Sequence, residues 1–406
     1  MALEWLIVGA GMHGVHLACS LLGGAKVPRD RLRLLDPHGF PLARWQQLST
    51  TVGMRFMRSP SVHHLDGPPF SLANFAREQG YSAKRDFQAP YNRPSLSLFN
   101  AYTEALLEGT EMAELCVLGR ALDLVELEDG LEVVTESARI HARRVVLALG
   151  SDRLMRPDWT EELELLGLRV SHLFDEDFEA QELDGVGRLV IVGGGISAAQ
   201  FAVARSRAGH ESVTLLTREP LREAQFDSEP GWLGPLHLES FRRERDLTRR
   251  RAMISQARNR GTVPRQIMRE LRQQERRGRL EVRTGEVVGA KVDRHGFVEL
   301  WSSTGLLTRA GRVVLATGLA RERPGAWLDG VSERLELPLS TCGYPIVDRA
   351  LRWHPRIHVS GALAELELGP AARNIAGARM ASERLLEHLC GPRPPARARV
   401  VRLGSI

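Results

Sequence analysis

The chain has 406 residues, 43% hydrophobic and 26% charged, with a formal net charge of +5. That balance excludes a disordered or fibrous chain, and the length predicts two or three domains, one of them free to interrupt another. No apolar run approaches the roughly 20 residues that span a bilayer, the N-terminus lacks the order of a secretory leader, and Cys19, Cys116, Cys342 and Cys390 form no CxxC pair; a cytoplasmic protein is expected.

The first predicted strand, Leu3 to Val8, runs into Gly9-Ala-Gly11-Met-His-Gly14 and a helix-compatible stretch from Val15 to Leu22. Arg31 to Leu35 is a second strand, ending at Asp36. A glycine turn between strand and helix lets backbone N–H groups approach a pyrophosphate at the positive end of the helix. Gly9 permits the tight turn, Gly11 the close approach of the ligand, and Gly14 the contact of helix with strand. Asp36 stands where a carboxylate would accept the ribose hydroxyls of an adenosine.

A polar, proline-marked stretch follows (Thr50 to Pro94), then a helix (Leu98 to Leu107) and short alternating strands (Leu122 to Leu127, Leu131 to Thr135). Val145-Val-Leu-Ala-Leu-Gly150 ends this part. The pattern then recurs. Arg188 to Val192 is a strand, Gly193-Gly194-Gly195-Ile-Ser197-Ala198 a glycine turn, Ala199 to Ala208 a helix, and Ser212 to Leu216 a strand. The second unit ends not on an acid but on Thr217-Arg218. A carboxylate there would repel a ribose phosphate whereas arginine would pair with it, so NADPH is expected over NADH.

Phe241 to Arg283 carries fifteen arginines against five acids. With one aromatic, Phe241, it offers no stacking platform for bases, so a solvated helical face is expected and no nucleic-acid partner. Further strands (Val287 to Val292, Phe297 to Trp301) lead to Val313-Val-Leu-Ala-Thr-Gly318, a second Ala-x-Gly strand end. Ile357 to Val359 is a last strand, followed by Gly361 and a helix from about Ala371 to Leu389.

With its two glycine motifs, each followed by an Ala-x-Gly strand end, the chain resembles the two-dinucleotide-binding flavoproteins. The Gly193-Gly-Gly-Ile-Ser-Ala198 form is similar to the flavin-dependent monooxygenases that N-hydroxylate ornithine and lysine. Trp45 after the second strand, Asp227-Ser-Glu-Pro-Gly-Trp-Leu-Gly-Pro235 and Gly261-Thr-Val-Pro264 fit the same group.

The resemblance implies an α/β fold of two Rossmann-like domains, the NADP domain inserted into a split FAD domain. The expected spans are 1–155 and 310–406 for FAD and 184–309 for NAD(P). It implies FAD at the first motif (Gly9, Gly11, Gly14, Asp36, Trp45, Gly150) and NADPH at the second (Gly193, Gly194, Gly195, Ser197, Arg218). Gly318 and the glycine-rich stretch Gly361 to Gly377, with Asn374 as its chosen side chain, are expected to complete the FAD site; an ordinary helix cap is the other reading of Asn374. It further implies that Met54-Arg-Phe-Met-Arg-Ser-Pro60 approaches flavin and substrate; a packed loop is the other reading of this stretch.

The chain also departs from the family. Leu96 and Ser97 follow Pro94-Ser95 where the family has arginine and then Glu-Phe, Leu319 replaces a common tyrosine, and Gly369-Pro-Ala-Ala-Arg-Asn374-Ile-Ala-Gly377 replaces the usual C-terminal surroundings.

The implied reaction is oxygenation of a soft nucleophile, an amine nitrogen above all, by a flavin hydroperoxide made from NADPH and oxygen. The alternatives are an NAD(P)H-dependent reductase without a redox disulfide and a non-enzymatic flavin-binding regulator. The expected partners are a small-molecule substrate and oxygen, with oligomerisation left open. His13, His16, His63 and His64 stand in no metal-ligand signature, and with no GxSxG elbow the sequence names no catalytic side chain.

Overall fold

In the computed structural model, residues 3–151, 153–168, 170–320 and 322–391 are described. Two sheets with parallel central strands organise the chain, the first also carrying antiparallel strands. The first contains β1 (Leu3–Val8), β2 (Leu32–Asp36) and β3 (Arg139–Leu147); β1 leads into helix α1 (Met12–Gly23). The second contains β4 (Ser171–His172), β5 (Arg188–Val192), β6 (Ser212–Thr217), β7 (Leu280–Thr284) and β8 (Arg312–Leu315), and helix α2 (Ile196–Arg207) connects β5 to β6. Strand β9 (Ile357–Val359) returns to the first sheet, and helix α3 (Ile375–Cys390) closes the described chain. The central strands are short runs of Val, Ile and Leu buried on both faces, as parallel strands covered by helices require.

The two sheets repeat one order. In the first it is β9, β3, β1, β2 and then Cys116–Leu118; in the second it is β4, β8, β5, β6 and β7. An antiparallel insertion precedes β3 (Asp123–Leu127 with Gly130–Val134) and another precedes β8 (Gly289–Val292, Val298–Ser302 and Gly305–Ala310). Each sheet takes a strand from the segment that leaves the other, and in the first sheet Arg352–His354 pairs antiparallel with β9 on its far side. The chain crosses to β4 after Gly150 and to β9 after Gly318, with Ile357 beside Val145 and Val314 beside Ser171. The two crossing segments pair: the Met155 N–H donates to the Gly318 carbonyl (2.9 Å) and the Ala320 N–H to the Arg153 carbonyl (2.8 Å).

This exchange moves the expected division. The Val313 strand, expected to open the returning flavin part at 310, lies in the second sheet beside β5, and Ser171–His172, outside the expected 184–309, belongs there too. A β8-type strand closes the sheet its own glycine turn serves, so the return follows Gly318 rather than preceding it. The C-terminal helix begins at Ile375 and not near Ala371, because Pro370–Arg373 forms a separate 3-10 turn.

The arginine-rich block is not one solvated face. Arg250, Arg251 and Arg258 turn inward against Glu365, Leu366 and Glu367 of the C-terminal part. Phe241 and Ile254 pack there with Tyr344 and Leu366, so the helices Pro235–Arg243 and Leu247–Ala257 dock on the C-terminal segment. Arg249 and Arg243 do face solvent.

Candidate dinucleotide sites

The two glycine turns are built alike. The Gly9 N–H donates to the Leu35 carbonyl (2.8 Å) and the Ala148 N–H to the Val8 carbonyl (2.9 Å). In the second unit the Gly193 N–H donates to Leu216 (2.9 Å) and the Ala316 N–H to Val192 (2.8 Å). The Ala-x-Gly strand ends seen in the sequence thus press on the turns. A Cβ on Gly9, where φ is +107°, would lie 2.5 Å from the Ala148 carbonyl oxygen, and one on Gly193 would lie 2.3 Å from that of Ala316. The protein itself demands these two glycines.

Gly14 answers to a second internal demand. Its Cβ would fall 1.8 Å from the Gly9 carbonyl oxygen, so only glycine lets α1 sit this close to its own turn. Ala198 holds the same place in the second unit and is fully buried.

Gly11 and Gly195 differ from all of these. A Cβ on either meets no protein atom within 4 Å. Each is the residue before a twelve-residue helix, α1 or α2, whose N-terminus has no side-chain cap. Open space, a helix's uncapped first N–H groups and the positive end of its dipole together fit a pyrophosphate. Ser197 stands half-buried in the first turn of α2, and a Cβ on Gly194 would approach only Thr217, at 3.9 Å.

The strand ends separate the two sites. Asp36 Oδ2 accepts from the Ala10 N–H (2.8 Å) and Oδ1 from the His38 N–H (2.9 Å), which fixes the carboxylate and leaves lone pairs for two hydroxyls. At the matching place Thr217 is fully buried and its hydroxyl has no partner. Arg218 projects into solvent, its Nη1 3.9 Å from Glu286 Oε1. So exposed a pair contributes little, and the guanidinium is available to a phosphate.

The remaining expected residues surround the first turn or leave it. The helix Ala43–Thr51 begins after Leu42, whose N–H donates to the Ala10 carbonyl (2.9 Å). From that helix Trp45 packs on Phe99, ring centroids 5.2 Å apart. Gly150 and Gly318 mark the exits towards the opposite sheet, and Gly318 needs glycine for its φ of +87°.

Asn374 precedes α3 but its side chain forms no cap bond, so the ordinary-cap reading fails. Its backbone carbonyl accepts from His13 Nε2 (3.1 Å), while His13 Nδ1 accepts from the Ser360 hydroxyl (2.8 Å). Burial, with His16 nearby, pushes His13 down to about 4, so the imidazole is neutral at pH 7 and consistent with one donor and one acceptor. Through His13 the C-terminal stretch reaches the first glycine turn.

The stretch from Met54 to Pro60 meets the second unit. Arg58 donates to the carbonyls of Gln225 (2.9 Å) and Ala224 (3.1 Å) and to Thr262 Oγ1 (3.0 Å). Arg93, buried to 3% exposure, donates to the Met57 carbonyl and to Gln266 Oε1. Ser360 and Glu365 lie in no sequence motif. For Ala148 and Ala316 the sequence signal is the repetition of Ala-x-Gly behind each glycine turn.

A family described as FAD-NAD(P)-binding matches residues 6–152, and one described as pyridine nucleotide-disulphide oxidoreductase matches residues 107–231. No curated protein matches the sequence. Among solved structures, ornithine hydroxylase from Pseudomonas aeruginosa is similar over 96% of this chain and 99% of its own, with 18% identity and a TM-score of 0.75. Ornithine N-hydroxylase from Kutzneria, solved with reduced FAD, NADP+ and L-ornithine, matches over 96% and 99%, with 18% identity and a TM-score of 0.74. Cadaverine monooxygenase from Erwinia amylovora, bound to FAD, matches over 96% and 95%, with 16% identity and a TM-score of 0.73. The chain has the fold of these proteins over nearly its whole length: two Rossmann-like units, the second lying within the first.

Proposed function

We propose that this chain is an FAD- and NADPH-dependent monooxygenase that oxygenates an amine nitrogen of a small molecule. The observation that carries the reading is the pair of open cradles at Gly11 and Gly195, each uncapped and each needing glycine for no protein contact. The fold shared with an ornithine hydroxylase and a cadaverine monooxygenase supports the amine.

The turn at Gly9, Gly11 and Gly14 would hold the FAD pyrophosphate and Asp36 the adenosine ribose, with Trp45, Gly150, Gly318 and Asn374 framing that site. Gly193, Gly194, Gly195 and Ser197 would hold the NADPH pyrophosphate. The flavin unit then comprises residues 3–150 and those after 318, and the nicotinamide unit comprises β4 to β8. FAD bound there supplies hydride acceptance from NADPH and activation of oxygen, and the chain's own part is to hold, orient and shield. A cytoplasmic location belongs to the same proposal and rests on composition.

The test is anaerobic addition of NADPH followed by oxygen with L-ornithine, L-lysine or cadaverine. Bleaching of the flavin and then a hydroxylated amine is the expected result. Bleaching followed by rapid reoxidation without a long-lived hydroperoxide absorbance identifies a reductase, and no bleaching identifies a binding protein.

Arg218 makes a separate prediction. Arg218→Ala should weaken NADPH by roughly 10- to 100-fold while leaving NADH within about twofold, since the lost contact is charge-assisted and specific to the ribose phosphate. Equal losses measured by titration of both cofactors would remove Arg218 from the site.

A further inference from the structure

Glu365 is fully buried and ionised among three arginines from two parts of the chain. Arg373 grips it through two bonds, Nε to Oε2 at 2.9 Å and Nη2 to Oε1 at 3.1 Å. Arg258 donates to Oε2 at 2.9 Å, and Arg251 donates to Oε1. Arg251 also lies over the Tyr344 ring, 3.8 Å from its centroid, and the Tyr344 hydroxyl accepts from Arg373 (2.8 Å).

Two of these arginines stand beside the glycine turns' covers. Arg373 precedes Asn374, whose carbonyl receives His13 from the first turn. Arg258 precedes Asn259, whose N–H donates to the Asp227 carbonyl (2.7 Å) and whose own carbonyl accepts from Thr262 Oγ1 (2.6 Å). That loop lies on the second turn: a Cβ on Gly261 would stand 3.7 Å from the Gly194 carbonyl oxygen. One carboxylate therefore tethers both covers.

We infer that Glu365 is a positioning residue for both dinucleotides, holding the cover of the first site through Arg373 and that of the second through Arg258. The inference rests on the proposed cofactors. Removing the charge leaves three guanidinium groups without their common partner, and such groups separate when the repulsion among them is no longer offset.

The experiment measures FAD and NADPH dissociation constants, first for the unaltered protein and then for three variants whose folding is checked by circular dichroism. Glu365→Gln should weaken both dinucleotides by about tenfold or more, Arg373→Gln FAD alone, and Arg258→Gln NADPH alone. The split is the decisive readout, because a merely structural cluster would move both affinities together whichever member is changed. If Glu365→Gln fails to fold, the two arginine variants still carry the test. The inference is overturned if either arginine variant shifts both affinities alike or shifts neither. Failure of the unaltered protein to bind either dinucleotide overturns the cofactor reading first, and this inference with it.

Discussion

Replacing Gly11 by valine is expected to release flavin from a chain that still folds. A side chain there meets no protein atom within 4 Å, and φ at this position is −72°, which valine adopts. The space it fills is the space a pyrophosphate would need. Valine is a poorer N-cap than glycine by about 1 kcal/mol, so the melting temperature of the flavin-free protein should fall by no more than a few degrees. Flavin affinity should fall by about a hundredfold or more, read by ultrafiltration and visible absorbance. Full occupancy in Gly11→Val would show that the first turn is structural alone.

Gly14→Ala is expected to do the opposite and damage the fold itself. One methyl group would stand 1.8 Å from the Gly9 carbonyl oxygen, backbone against backbone, with no flexible side chain to move aside. Helix α1 would have to lift from β1, loosening Val15, Leu17, Ala18 and Leu21 from the core they share with Ile7 and Leu34. Overpacking of this kind costs about 3 kcal/mol or more. Ala198, at the same place in the second unit, supplies the comparison. Ala198→Gly should lose only about 1 kcal/mol of helix propensity, together with the small packing of one methyl group. Chemical denaturation of both variants distinguishes the cases; a mild Gly14→Ala would mean that helix and strand are not packed this closely.

These two glycines show where local pattern suffices. Strand, glycine turn and helix are encoded within about twenty consecutive residues, by Val/Ile/Leu runs, by residues that permit unusual φ, and by helix-forming stretches. Both βαβ units and the acid at Asp36 were therefore legible, as was the contrast between Asp36 and Thr217-Arg218. Strand ends were legible to within a residue or two, because a short apolar run fades gradually into its turn.

What lay beyond the sequence depends on partners remote along the chain. Nothing in Ser171-His172 or Ile357 to Val359 says which sheet each will join, because two or three residues carry no pattern that distinguishes one sheet from the other; the three-dimensional path after Gly150 and Gly318 decides it. Fifteen arginines between Phe241 and Arg283 look alike in sequence, and only tertiary structure brings Arg251 and Arg258 to Glu365, 114 and 107 residues away. Asn374 was singled out for its side chain, whereas the fold uses its backbone carbonyl, which every residue possesses and no residue type advertises. Amino-acid identity determined the local turns and the charges at their ends. The pairing of distant segments, driven by burial and by the satisfaction of buried charge, determined how those turns are covered and joined.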